Sequence, residues 1–145
     1  MSRIYDDILK SLPYSEPFLF VDKVLEIDDT CIVGEYSFLE DRDFYRGHFN
    51  NYPITPGVLI VESFAQIGGV AHGIYLLDLF NKDFIPAFSN ASFEFFANLK
   101  PGETIYVLSK KVALRKNYLK IKGEVFNSKN ELIMQATGSC KFIVL

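Results

Sequence analysis

The chain has 145 residues, of which 49% are hydrophobic, with 14 Phe, 8 Tyr and a net charge of −3. That length is one ordinary domain, spanning residues 1–145 without a linker-like or low-complexity break, and its aromatic content exceeds the needs of one core, so a ligand cavity or a subunit interface is expected. The negative charge excludes the broad positive field of a nucleic-acid binder, and Cys31 and Cys140 have neither disulfide density nor metal-ligand spacing.

Residues 4–12 read as a short helix stopped by Pro13, and the acids in MSRIYDDILK stand where a signal peptide would be apolar. An extended segment from Pro17 to Ile27, the turn Asp28-Asp29-Thr30 and a strand from Cys31 to Leu39 predict a hairpin. Ile32, Gly34, Tyr36 and Phe38 alternate onto one of its faces.

The next element begins at Thr55-Pro56-Gly57, where threonine suits a helix cap and proline the first helical position. A helix from there to about Leu79 is almost wholly apolar and rich in glycine, so other structure is expected to surround it closely. The stretch from Ser63 to Leu77 is shorter than the roughly 20 apolar residues of a membrane span, and the expectation is a soluble, cytoplasmic protein. Four strand-like segments follow, covering residues 86–99, 104–114, 118–126 and 131–145. The short turns between them predict that consecutive strands are antiparallel neighbours. The fold class expected from this pattern is α+β, an antiparallel sheet curled around one long central helix. Basic residues cluster in Lys110 to Lys122, KKVALRKNYLKIK, around one of the turns.

Glu62 interrupts the apolar start of the long helix, and a carboxylate there is expensive unless it is paired or hydrogen-bonded. Gln66 follows one turn later, where its amide can hold the acid, and His48 precedes in Arg46-Gly47-His48-Phe49. No Gly-x-Ser-x-Gly elbow occurs, and Asp41 and Asp43 near His48 make an unconvincing metal set; no metal or redox cofactor is expected. One histidine, one acid and the free amide of Gly57 at a helix start suit proton transfer next to a carbonyl, with loss of water from the neighbouring carbon. His72, two to three turns beyond Glu62, reads as a packed histidine.

The segment GHFNNYPITPGVLIVESFAQ resembles the active-site stretch of the (3R)-hydroxyacyl-[acyl-carrier-protein] dehydratases of bacterial fatty-acid synthesis, usually GHFPxxPxMPGVLxxEAxAQ; Leu12-Pro13 and Pro17-Phe18-Leu19-Phe20-Val21-Asp22 are also similar to that family's entry strand. The resemblance implies the hotdog fold and a homodimer with shared active sites, often assembled as a trimer of dimers. It also implies an acyl carrier protein as the partner that brings the substrate. By the same resemblance His48 is the base and Glu62 the acid, contributed from opposite subunits, with Gly57 as oxyanion donor and Phe49, Val58 and Gln66 beside the substrate. Glutamate at position 62 resembles the general dehydratase branch, whereas relatives that also isomerise the double bond carry aspartate. The sequence departs from the usual motif at Asn50-Asn51 for Pro-Gly, at Thr55 for Met, and at Tyr14-Ser15-Glu16 for His-Arg-Tyr. A dehydratase of a related polyketide or polyene pathway, a hotdog thioesterase and a non-catalytic carrier-binding subunit are the alternatives.

Overall fold

In the computed structural model, which describes residues 2–145, the first helix α1 (Ser2–Ser11) stops before Pro13 and buries Ile8. β1 (Lys23–Ile27) and β2 (Cys31–Ser37) form the expected antiparallel hairpin. Its turn is held by Asp28, whose Oδ1 accepts the N–H groups of Thr30 and Cys31 at 2.7 and 2.9 Å. In β2 the buried residues are Ile32, Gly34 and Tyr36, in the alternation that one covered face requires. The expected extension from Pro17 is shorter as a strand, because residues 18–20 hydrogen-bond to side chains of the central helix.

That helix, α2 (Gly57–Leu77), is 21 residues long. It starts one residue later than expected and Thr55 does not cap it: the Thr55 hydroxyl is hydrogen-bonded to the Tyr45 phenol, and Pro56 stands at the N-cap with no side-chain bond. Its middle, Ala65–Ala71, is π-helical rather than α-helical. The wide turn falls where two consecutive glycines let the sheet press on the backbone; a Cβ on Gly68 would lie 2.6 Å from Ser109 Oγ, and one on Gly69 would lie 2.5 Å from Phe88 Cζ. The helix ends at Asp78, which takes a left-handed conformation (φ 53°). By length and mean hydropathy (1.3 over its most apolar 18-residue window) α2 would suit a membrane span, but 67% of that window is buried inside the protein, as the helix of a core is.

Around α2 lies a six-stranded antiparallel sheet completed by β3 (Phe84–Phe95), β4 (Thr104–Arg115), β5 (Tyr118–Asn127) and β6 (Leu132–Val144), in the order β1-β2-β4-β5-β6-β3. This order corrects one expectation. β3 does not pair with β4 across the Lys100-Pro101-Gly102 turn; it pairs with β6 from Phe84↔Val144 to Phe95↔Met134, and β4 pairs with β2. Residues 96–103 are a crossover, not a hairpin. The Leu99 carbonyl accepts the Thr55 N–H at 2.8 Å, and the Gly102 N–H reaches the Phe38 carbonyl at 2.7 Å, so the connection passes the start of α2 to reach the middle of the sheet. Irregular pairings in β1, β3 and β4 help the long strands bend. Ile67, Val70, Ile74, Val107, Ile121, Val125 and Phe142 are almost fully buried between sheet and helix. β3 is one free edge, and residues 89–98 on and after it are exposed, among them Phe93, Phe95 and Phe96.

Candidate active site

His48 follows the short turn of 3-10 helix at Asp43–Arg46, in a loop whose path is set by backbone of unusual conformation. Phe49 and Asn51 both have positive φ, 59° and 65°. Asparagine tolerates that region better than most residues, and it stands where the motif usually carries glycine, so the Asn50-Asn51 departure keeps the turn. Phe49 pays a steric cost there and lays its ring on the His48 imidazole, with 4.2 Å between centroids. The imidazole Nδ1 lies 2.7 Å from the Ile54 carbonyl. A carbonyl only accepts, so Nδ1 carries the hydrogen and donates it, and Nε2 of the neutral ring is left with its lone pair free.

Glu62 sits in the second turn of α2, half-buried, with Oε2 accepting a hydrogen bond of 2.9 Å from Gln66 Nε2. Burial pushes its carboxyl above the usual carboxylate range, partly offset by that hydrogen bond. Gln66 is fully buried and both its N–H donors are used: Nε2 also donates to the Phe18 carbonyl at 3.0 Å, and Oε1 accepts the Phe20 N–H at 2.8 Å. Ser63 Oγ donates to the Phe20 carbonyl at 2.8 Å. The residues before β1 are thus stitched to α2 beside the acid. Gly57 opens the helix, where an N–H has no intrahelical acceptor. Val58, next to it, is 69% exposed, and Phe49 is 60% exposed. Within one chain no hydrogen bond or ion pair among the described residues joins His48 to Glu62.

The match to known proteins follows the same residues. The model of the FabA-like domain family matches residues 12–137, which takes in every site residue above. The chain belongs to the FabA-like family. Among its relatives, a 3-hydroxyacyl-[acyl-carrier-protein] dehydratase FabZ of Acinetobacter baylyi is 35% identical over 136 residues, 93% of this chain and 78% of that one. The FabZ of Petrotoga mobilis is 36% identical over 119 residues, 81% of this chain and 83% of the relative. Among solved structures, the dehydratase heterocomplex ApeI:P of Xenorhabdus doucetiae superposes with a TM-score of 0.76 at 14% identity, covering 92% of this chain and 89% of that one. At that identity the likeness speaks for the fold, and the fold is the hotdog.

Within this FabA-like domain the structure adds a residue to the site that sequence reasoning passed over. Tyr14, noted only as a departure from the family's usual motif, is half-buried near Glu62 and Cys140; burial first, then the charge of Glu62 and then Cys140, push its phenol above the ordinary value. No periodicity marks it, because it lies in a loop. Ser63 was missed for the opposite reason, since a serine in an apolar helix reads as filler until its carbonyl partner is seen. His72 is a packed histidine: it is fully buried, and its Nε2 donates to the Asp28 carbonyl at 2.8 Å. Burial lowers its pKa. Cys140 is also buried, and its thiol is pushed up to about 12, far from a nucleophile's range.

Proposed function

We propose that the protein removes water from (3R)-3-hydroxyacyl thioesters carried on acyl carrier protein, giving the trans-2-enoyl thioester. The observation that carries this reading is a histidine with its Nε2 free and a carboxyl pushed toward its protonated form, both tied to the start of one helix. The thioester oxygen accepts the Gly57 N–H, where the positive end of α2 stabilises the charge that grows as C2 loses its proton. His48 Nε2 takes that proton. The C2 electron pair forms the C2–C3 double bond as the C3–O bond breaks, and the Glu62 carboxyl protonates the departing hydroxyl, which leaves as water. Transfer of the proton from His48 back to Glu62 restores both groups, and general acid–base help of this kind is worth about 10²–10⁴-fold per group. Gln66 serves by holding the acid, since both N–H donors of its amide are taken by the Phe18 carbonyl and Glu62.

The working unit in this reading is a homodimer in which His48 of one subunit meets Glu62 of the other. Two features support it: the two side chains are not joined within one chain, and β3 presents an unpaired edge studded with exposed Phe93, Phe95 and Phe96. An apolar edge of that length is covered in most stable proteins. The acidic carrier is met by the β4–β5 hairpin, where Lys110 lies opposite Lys122 and the turn carries Arg115 and Lys116. Among the described residues none of these cations is in an ion pair. The cytoplasm is the compartment this reading assigns.

The test incubates the protein with 3-hydroxyacyl carrier substrates and follows enoyl product and free thiol together. Enoyl without thiol is the expected result. Thiol release moves the protein to the thioesterases, and no product from several chain lengths leaves a carrier-binding subunit.

A further inference from the structure

The central helix is not covered evenly. From Gln66 to Ile74 every residue of α2 is buried, whereas Val58 is exposed and Val61, Glu62 and Ala65 are half-buried. These four make an open strip that runs along the helix through the acid. On one side of the strip lies the segment before β1, with Tyr14 near Glu62 and the Phe18 carbonyl on Gln66. On the other lies β3. Phe88, Ala91, Phe93 and Phe95 pair with Cys140, Gly138, Ala136 and Met134, alternate residues of β6, so these four share one face of the sheet. That face is the one turned to α2, because Phe95 packs on Gly57 and Phe88 packs on Gly69.

The strip is therefore bordered on one side by β3, and its two ends are marked by two phenylalanines seated on two glycines. At the helix start the Phe95 ring tip lies 2.8 Å from where a Gly57 Cβ would be. At the far end the Phe88 tip stands 2.5 Å from the position of a Gly69 Cβ, and its ring edge also faces Gly138 on β6, 3.4 Å from the position of a Cβ there. Beyond Phe88 the helix has no open surface until its last turn, and Phe142 sits on Gly73.

We propose that Phe88 is the stop that sets the acyl length this enzyme accepts, and that its substrates are short to medium chains. The inference rests on the dehydratase reading, which puts C2 and C3 beside Glu62. Gly69 lies seven positions beyond Glu62, and a helical rise of 1.5 Å or less per residue puts the Phe88 ring about 10 Å from the acid along the helix. With carbon–carbon bonds of about 1.5 Å at tetrahedral angles an extended chain advances about 1.3 Å per carbon, so about eight chain carbons fit beyond C3, or about eleven in all. A longer chain meets the Phe88 ring, and the packed interior behind it leaves no alternative path.

The experiment measures kcat/KM of the full chain for 3-hydroxyoctanoyl and 3-hydroxytetradecanoyl carrier thioesters, in the wild type, Phe88→Ala and Phe88→Leu. The wild type is expected to favour the shorter substrate by about tenfold or more, the discrimination an apolar wall imposes on surplus methylenes. Phe88→Ala is expected to raise the long-to-short ratio by about tenfold, with Phe88→Leu between the two. Circular dichroism checks folding, and where the alanine variant fails to fold the leucine variant decides the matter by the same ratio. A wild type indifferent to length, or a ratio that neither folded variant moves, overturns the role of Phe88 while leaving the dehydratase standing. Enoyl formation from neither substrate by the wild type overturns the dehydratase reading, and this inference with it.

Discussion

The proposed reaction turns on one carboxyl whose pKa burial raises. Glu62 is pushed up by burial and pulled back by Gln66, whose amide stabilises the ionised form. An acid that must donate works below its pKa, so the alkaline limb of the kcat/KM profile reports Glu62. Replacing Gln66 with Met removes the group that favours the carboxylate, and the limb is expected to move to higher pH; movement to lower pH would contradict the assignment of Glu62 as the acid. The same change leaves the Phe20 N–H without its partner, at a cost of about 1–3 kcal/mol in urea denaturation. At this scale the candidate site was half legible. Glu62 declared itself as a charge in an apolar run, and Gln66 by its helical spacing, because both signals are local. Tyr14 lies on a separate segment, near enough for the charge of Glu62 to raise its phenol, and no local pattern encodes that proximity.

The elements were read well, and so were the pairings β1–β2, β4–β5 and β5–β6; the pairing of β3 was not. Alternation in β2, β5 and β6 gave away faces and boundaries within a residue or two, since a strand with one buried side has to show it. The Pro101-Gly102 turn looked like a hairpin because turn chemistry reports a change of direction and says nothing about the partner reached. β3 goes to β6 instead, and the crossover is held by backbone hydrogen bonds that leave no sequence mark. The π-helical stretch of α2 was likewise invisible, although its glycines were noticed. Gly68 separates two explanations of those glycines. Helix propensity alone predicts that Gly68→Ala stabilises by about 0.5–1 kcal/mol. Packing predicts the reverse, because the new Cβ would lie 2.6 and 2.7 Å from Ser109 Oγ and Cβ; a loss of about 1–3 kcal/mol is expected, and a gain would show that the π-helical segment relaxes freely.

For the whole molecule, it matters most that among the described residues no hydrogen bond or ion pair joins His48 to Glu62 within one chain. In the proposed reading, a hotdog subunit with a free β3 edge and an open strip beside its acid is half of a catalytic unit, and the other half is a second copy. This has a consequence that neither residue shows alone. His48→Ala and Glu62→Gln are each expected to form almost no enoyl product, yet a mixed dimer of the two holds one site with both groups intact. Random pairing makes half the dimers mixed, each with one working site of two, so co-expression of the two variants is expected to recover about a quarter of wild-type enoyl formation, with the sites of a symmetric dimer acting independently. Recovery to that level would establish the shared site and its acid–base pair together. Co-expressed variants that do form mixed dimers but stay as inactive as each alone would contradict the account.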